Sequence, residues 1–318
     1  MEDVLPLAHL YIFSDACPTD WLRDGHDDEW HTIVNLVFQS DPALQARVEQ
    51  GESHDAVLGH DTKYMHLIRD LEWRLPSGHL RKWKRQEYRT KFCNAFAAIV
   101  PTHHPIVSAC SFQEKTLRSS KQALLNSYNR RIGGIEGRGI GFEEFTDGKG
   151  RQQMKHSFLN FHGYHEIQAP PNQMLVLLLM SWFVADQLAF FVNNIVRSGR
   201  YGFDGLGITV VSDKLSGDDD FGRKSELNLR NLIDPEHEGV PVVLTRSSQS
   251  DTFSGDLLVD NLAGWLNSAM TDPTGNHAQF ARHLTTTGVW TGWHQLLPSS
   301  TELQAATAVS RLTGGGLA

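Results

Sequence analysis

Residues Leu10 to Cys17 read LYIFSDAC. An apolar, β-branched and aromatic run that closes on a carboxylate predicts a buried strand with Asp15 at its end. Two later stretches centre on a lone Asp in the same way. LGITVVSD ends at Asp213, and GDLLVDNLAGW carries Asp260 between Val259 and Asn261. Open α/β sheets place their sites at the carboxyl ends of strands, and Asp15 and Asp213 are expected there. Asp260 is expected inside an amphipathic helix, beside Leu257, Leu258 and Leu262, which can lay one carboxylate across the sheet edge.

Three converging carboxylates repel. At about 4 Å and an effective dielectric near 20, each close pair costs on the order of 4 kcal/mol. A divalent cation with hard oxygen ligands offsets this, so Mg²⁺ or Mn²⁺ is the expected cofactor. Two such ions suit in-line phosphodiester hydrolysis. A single strand-end Asp is more often a turn former or helix cap. The order strand-Asp, strand-Asp, helix-Asp is what points to a joint site.

Around these stretches the expected elements alternate. Leu7–Ser14 and His31–Phe38 read as paired strands, and Asp41–Gln50 as a short helix. Lys63–Trp73 fits either a strand or a helix and is read as a strand that breaks near Pro76. Leu80–Val100 reads as a helix stopped by Pro101, His104–Phe112 as a strand and Lys115–Arg131 as a helix. Met174–Arg197 is a long apolar helix, but Asp186, Gln187, Asn193 and Asn194 interrupt it. A mid-span charge would cost about 2.5–3.5 kcal/mol, so the helix is expected to pack on the sheet rather than in a membrane. Gly205–Ser212, Val240–Thr245 and Gly255–Met270 complete a strand, strand, helix series around an amphipathic helix at Arg223–Ile233, and SSQSDTFSG reads as a loop. The expected fold is α/β, with an antiparallel start and a parallel remainder.

The 318 residues suit one large domain with insertions. We expect a domain over 1–272 with a flexible insertion near 133–150, where seven glycines fall, and a C-terminal extension over 273–318. Those glycines match neither the P-loop pattern nor GxGxxG after a strand. A net charge of −8 excludes an overall basic nucleic-acid binder but leaves room for a local basic patch. Three cysteines without CxxC spacing argue against a disulfide framework or structural zinc and fit a reducing cytoplasm. The opening MEDVLPLAHLYIF has no basic leader region. HGYH, with His162 and His165, and the pair His103–His104 lack the HExxH pattern. Asp218 to Asp220 either extend the acidic site beyond Asp213 or, the reading preferred, form a solvated loop or a helix cap.

The three acid-bearing stretches together resemble a large bacterial family of unassigned function with a ribonuclease H-like fold. LYIFSDAC resembles its YIDESG-type opening strand. VVSDK, Val210–Lys214, resembles a later strand ending in Asp. SSQSDTFSGDLLVDNLAGW, Ser247–Trp265, resembles its closing motif, a Ser-containing loop and a helix read as LQLADLIAG. DLEW, Asp70–Trp73, is similar to an ELKW-like segment. The resemblance implies a mixed sheet flanked by helices, an acidic site of Asp15, Asp213 and Asp260, and Asp70 as a fourth acid. It covers the two ends better than the middle, and Ala16 stands where the family often has Glu.

A second feature is His79–Lys91, HLRKWKRQEYRTK. Arg81, Lys82, Lys84, Arg85, Arg89 and Lys91 are interleaved with Trp83 and Tyr88, opposed only by Glu87. At helical spacing this reads either as a phosphate-backbone contact or as a solvated helix face with Trp83 in the core. The expected activity is therefore a metal-dependent nuclease acting on nucleic acid. The alternatives are a catalytically inactive module on the same fold, such as a subunit of a defence or mobile-element assembly with a protein partner, and a small-molecule hydrolase using the same acids.

Overall fold

A computed structural model describes residues 7–18, 25–40, 62–75, 86–103, 105–131, 140–160, 163–191, 205–212, 229, 242–249, 254–279 and 290–295. The first strands are β1 (Leu7–Cys17) and β2 (Trp30–Ser40). Helices α1 (Thr62–Arg74) and α2 (Gln86–His103) lead to β3 (Ile106–Gln113) and α3 (Glu114–Arg131). A meander follows, β4 (Gly141–Thr146), β5 (Gln152–Asn160) and β6 (Gly163–Ala169). Then come α4 (Pro171–Phe191), β7 (Gly205–Ser212), β8 (Val242–Gln249), α5 (Ser254–Thr271) and β9 (Trp290–Gln295).

The main sheet has the order β8-β7-β1-β2-β3-β9. β2 runs antiparallel to both its neighbours, while β7, β8 and β9 join in parallel. This is the expected mixed α/β sheet, with an antiparallel start and a parallel remainder. β4, β5 and β6 form a separate antiparallel sheet.

Alternation along β1 divides the core in two. Leu10, Ile12 and Ala16 join Ile33, Val37, Ile208 and Val210 under α4, α3 and the small sheet. Tyr11 and Phe13 join Val34, Leu36, Val107, Ala109 and Val211 under α1, α2 and α5. α4 is buried all round over Met174–Ala185, which is why its sequence is so uniformly apolar. No helix among the described residues is long and apolar enough to cross a membrane.

Several expectations change. Lys63–Trp73 is helix, not strand: Leu67, Ile68, Leu71 and Leu75 are buried at helical spacing, and Arg69, Trp73 and Arg74 are exposed. Pro101 does not stop α2. It sits in the last turn, where its missing N–H removes one bond and the helix ends two residues later. The glycine-rich stretch is not one flexible insertion, because Gly141–Thr146 is β4. Asp147 Oδ1 accepts from the Lys149 and Arg151 amides, and Gly150 adopts φ +77°, so the later glycines build the β4–β5 turn. In the expected C-terminal extension, Trp290–Gln295 joins the main sheet beside β3. SSQ at 247–249 continues β8 rather than opening a loop. The helices expected at 41–50 and 223–233 lie almost wholly outside the described residues, as do 76–85, 132–139, Asp213 and Asp218–Asp220.

Candidate metal centre

Asp15 is not at the end of β1 but two residues inside it, opposite Val34 of β2. It is only 5% exposed, and its Oδ1 accepts the Ala16 amide at 2.8 Å. By alternation it shares the α5 face with Tyr11 and Phe13. On the β7 side the register ends with Ser14 opposite Ser212 and Phe13 opposite Val211. Asp213 is the next residue after Ser212. Asp213 itself lies outside the described residues.

Ala16 points the other way. It is buried with Leu10, Ile12 and Ile33 beneath α4. An acid at position 16 would therefore lie on the opposite face of the sheet from Asp15. Its absence here takes nothing from the Asp15 face.

Helix α5 packs across β1 and β2. Its start is pinned by Gly255, where a Cβ would fall well inside van der Waals contact distance of Phe13 Cε1 and Cζ. Further along, Thr32 Oγ1 donates to Asn267 Oδ1 at 3.2 Å, and Thr32 lies opposite Cys17. The helix thus runs with β1 and drifts onto β2. Asp260 is five residues past Gly255, about 7.5 Å of rise. Asp15 is two residues past Phe13, about 6.6 Å. The two acids come to the same level of the sheet. Asp260 also stands seven residues before Asn267, two helical turns, and so on the side of α5 that reaches Thr32. Its side chain is half-buried, while Leu258, Val259, Leu262 and Ala263 around it are buried.

The α5 face carries further polar groups that short motifs did not reveal. Thr32 and Ser111 hydroxyls lie 2.9 Å apart, linking β2 and β3 to Asn267 of α5. Each stands next to an apolar position of the opposite face, Ile33 and Phe112, so only the sheet register brings them together. Asp15 and Asp260 offer oxygen ligands of the hard type that Mg²⁺ and Mn²⁺ take, and no described histidine or cysteine forms a cluster with them that would favour a softer ion. Among the described residues no three His, Cys, Asp or Glu side chains are grouped to hold a metal.

Asp70 is elsewhere. It is exposed on α1 and pairs with His103 Nε2 at 2.8 Å. His103 ends α2 just before β3 enters at Ile106, which through Val37 lies level with Ile12. The pair therefore lies toward the edge from which β1 enters, away from the level of Asp15. Of the basic run, Arg81, Lys82, Lys84 and Arg85 fall outside the described residues. Arg89 lies in the first turns of α2, and Lys91 is exposed there, its Nζ 5.2 Å from the Tyr88 ring centre. Cys93 and Cys110 are buried thiols, and Cys17 is half-buried. His165 lies on β6 with its ring 5.5 Å from that of Phe158.

A second titratable pair lies on the other face. His31 Nε2 is 2.6 Å from Glu114 Oε2, both groups buried. The His31 ring stacks on Phe112, and its Nδ1 lies 3.5 Å from the Pro18 carbonyl, just beyond the end of β1. Burial holds the imidazole below its ordinary value, against the opposing attraction of Glu114. Arg118 reaches the other oxygen of Glu114 at 3.4 Å. No family model matches the chain, and no curated protein matches it.

Proposed function

We propose that the chain is a metal-dependent nuclease of ribonuclease H-like architecture, with Asp15, Asp213 and Asp260 as its acidic centre. The observation that carries this reading is the buried Asp15 carboxylate, set level with Asp260 on the face of the sheet that α5 crosses. The register Ser14–Ser212, which leads directly into Asp213, supports it. So does the strand arrangement, three antiparallel strands from the start of the chain flanked by two parallel ones beside β1, and so do the short motifs at both ends.

Asp15 and Asp260 would hold Mg²⁺ or Mn²⁺, with Asp213 as the third ligand. Such an ion, when bound, supplies Lewis-acid stabilisation of phosphate charge. The protein's own part is placement. The β1 ladder fixes the Asp15 backbone, and the Gly255–Phe13 approach fixes how close α5 lies. Burial beneath α5 keeps water away from one side of the carboxylate and strengthens its attraction for a cation. Asp70 has no part in this centre, being paired with His103.

The test is cleavage of labelled DNA and RNA with Mn²⁺ or Mg²⁺. Asp15→Asn and Asp260→Asn should each lower the rate by roughly 100-fold or more, at least the loss seen when groups around a metal's ligands are removed. Mn²⁺ titration by calorimetry should weaken in parallel. Unchanged cleavage in both variants would defeat the reading. Metal-independent folding, no cleavage and a stable complex with another protein would favour the inactive module instead.

A further inference from the structure

We infer that the face of the main sheet beneath α4 holds an enclosed water site, built by the Ser14 hydroxyl and the Asn35 amide. The site lies on the opposite face of the sheet from Asp15 and is independent of the nuclease reading.

The strand register sets a line of polar residues across the sheet. Ser14 of β1 lies opposite Asn35 of β2 and, on its other side, opposite Ser212 of β7. Asn35 in turn lies opposite Ser108 of β3. Each stands two residues from an apolar position of the α4 face, so all four share that face. The row runs through an apolar stretch of the sheet. Ile12, Val37 and Ile106 line one side of it, and Ala16, Ile33 and Cys110 the other.

Burial and chemistry together call for a partner. Ser14 is 1% exposed and Asn35 is fully buried. Neither Ser14 Oγ nor Asn35 Oδ1 or Nδ2 has a hydrogen-bond partner among the described residues. The amide offers two N–H donors and a carbonyl acceptor, and the hydroxyl both donates and accepts. Buried groups of this kind are almost always satisfied, by protein or by ordered water, because desolvation without a bond is costly. Helix α4, which packs on β1 and β2, is apolar from Met174 to Met180 and sends no bond to either group.

Side-chain size supplies the room. Serines stand on both sides of Asn35, and they are shorter than the Ile12, Val37 and Ile106 side chains of the next row. Directly opposed residues on one face have Cβ atoms about 4.5–5.5 Å apart. One water spans such a pair by accepting from Asn35 Nδ2 and donating to Ser14 Oγ. A second can donate to Asn35 Oδ1. The row carries no charge, so an ion there would be uncompensated. Closure of both groups from solvent excludes a larger ligand, and water is the one whose chemistry and size match.

The test is magnetisation transfer from water, read by NMR on the deuterated, isotope-labelled full chain. The Asn35 side-chain amide should show a cross-peak to water with the sign of a long-lived bound molecule rather than of proton exchange. Water relaxation dispersion counts such molecules, and Ser14→Ala combined with Asn35→Leu should lower the count by at least one. That pair removes both polar partners together and keeps the volume close to native, so the variant should fold. If it does not, the wild-type cross-peak alone decides. An Asn35 amide without a water cross-peak overturns the inference, and so does a count of bound waters that the double substitution leaves unchanged. Neither result touches the nuclease reading, because Asp15 and α5 lie on the other face.

Discussion

Asp15 and Ala16 are neighbours in sequence and strangers in space. One faces α5 and the other lies under α4, because successive side chains of a strand leave by opposite faces. An acid at position 16 would thus not have joined Asp15 in any case. His31 is the other residue whose setting has a measurable consequence. Its folded-state value lies below the ordinary 6.5, chiefly through burial. Between the two values the unfolded chain binds more protons than the folded one, so stability rises with pH there. Folding stability should be full above about pH 6.5 and should fall as the medium is acidified through that value. Urea unfolding between about pH 7 and pH 5 checks this. His31→Gln, though less stable throughout, should give a flatter profile across the window; an equally steep profile would mean that other groups carry the dependence.

At the scale of elements, α5 decides the geometry, and Gly255 decides how close α5 can come. An added methyl at 255 would gain up to about 1 kcal/mol of helix propensity. It would also press on the Phe13 ring, and overpacking of this kind costs about 1–3 kcal/mol. Sterics should win, with Gly255→Ala lowering the urea midpoint and weakening Mn²⁺ binding together. A double-mutant cycle with Phe13→Leu should show the penalty shrinking. A Gly255→Ala protein as stable as wild type would mean that α5 can ride higher over β1. Which elements could be read from sequence follows from where their patterns live. β1 and α5 carry strong local patterns, and both were legible. α1 was misread because KYMHLIRDLEW places apolar residues ambiguously, and only burial of Leu67, Ile68, Leu71 and Leu75 picks the helical period. The β4 hairpin was hidden because its glycines read as looseness, whereas Asp147 and Gly150 build a specific turn. The strand at Trp290–Gln295 has its partner in β3, about 180 residues earlier, and no local pattern reports that.

For the whole molecule, the sheet is completed from distant parts of the chain. β9 covers the outer edge of β3. Removing residues 290–318 should bare that edge, raising amide exchange at Val107–Ser111 and promoting association through the exposed strand. Hydrogen exchange read by mass spectrometry would test this, and unchanged protection of β3 would mean that β9 contributes little to the edge. The sequence offers three acids for the candidate centre but no neighbourhood for them, since the hydroxyls of Thr32 and Ser111 and the amide of Asn267 meet only in the folded sheet. The parallel pairing of β1 with β7 has a consequence in time. β1 is made before β7, and the strand that lies beside it follows some 190 residues later. At about 5–20 residues per second, roughly 10–40 s pass before that partner exists. Throughout that interval the nascent chain carries β1 with one edge unmatched, and no shorter chain than one reaching Asp260 can hold all three acids.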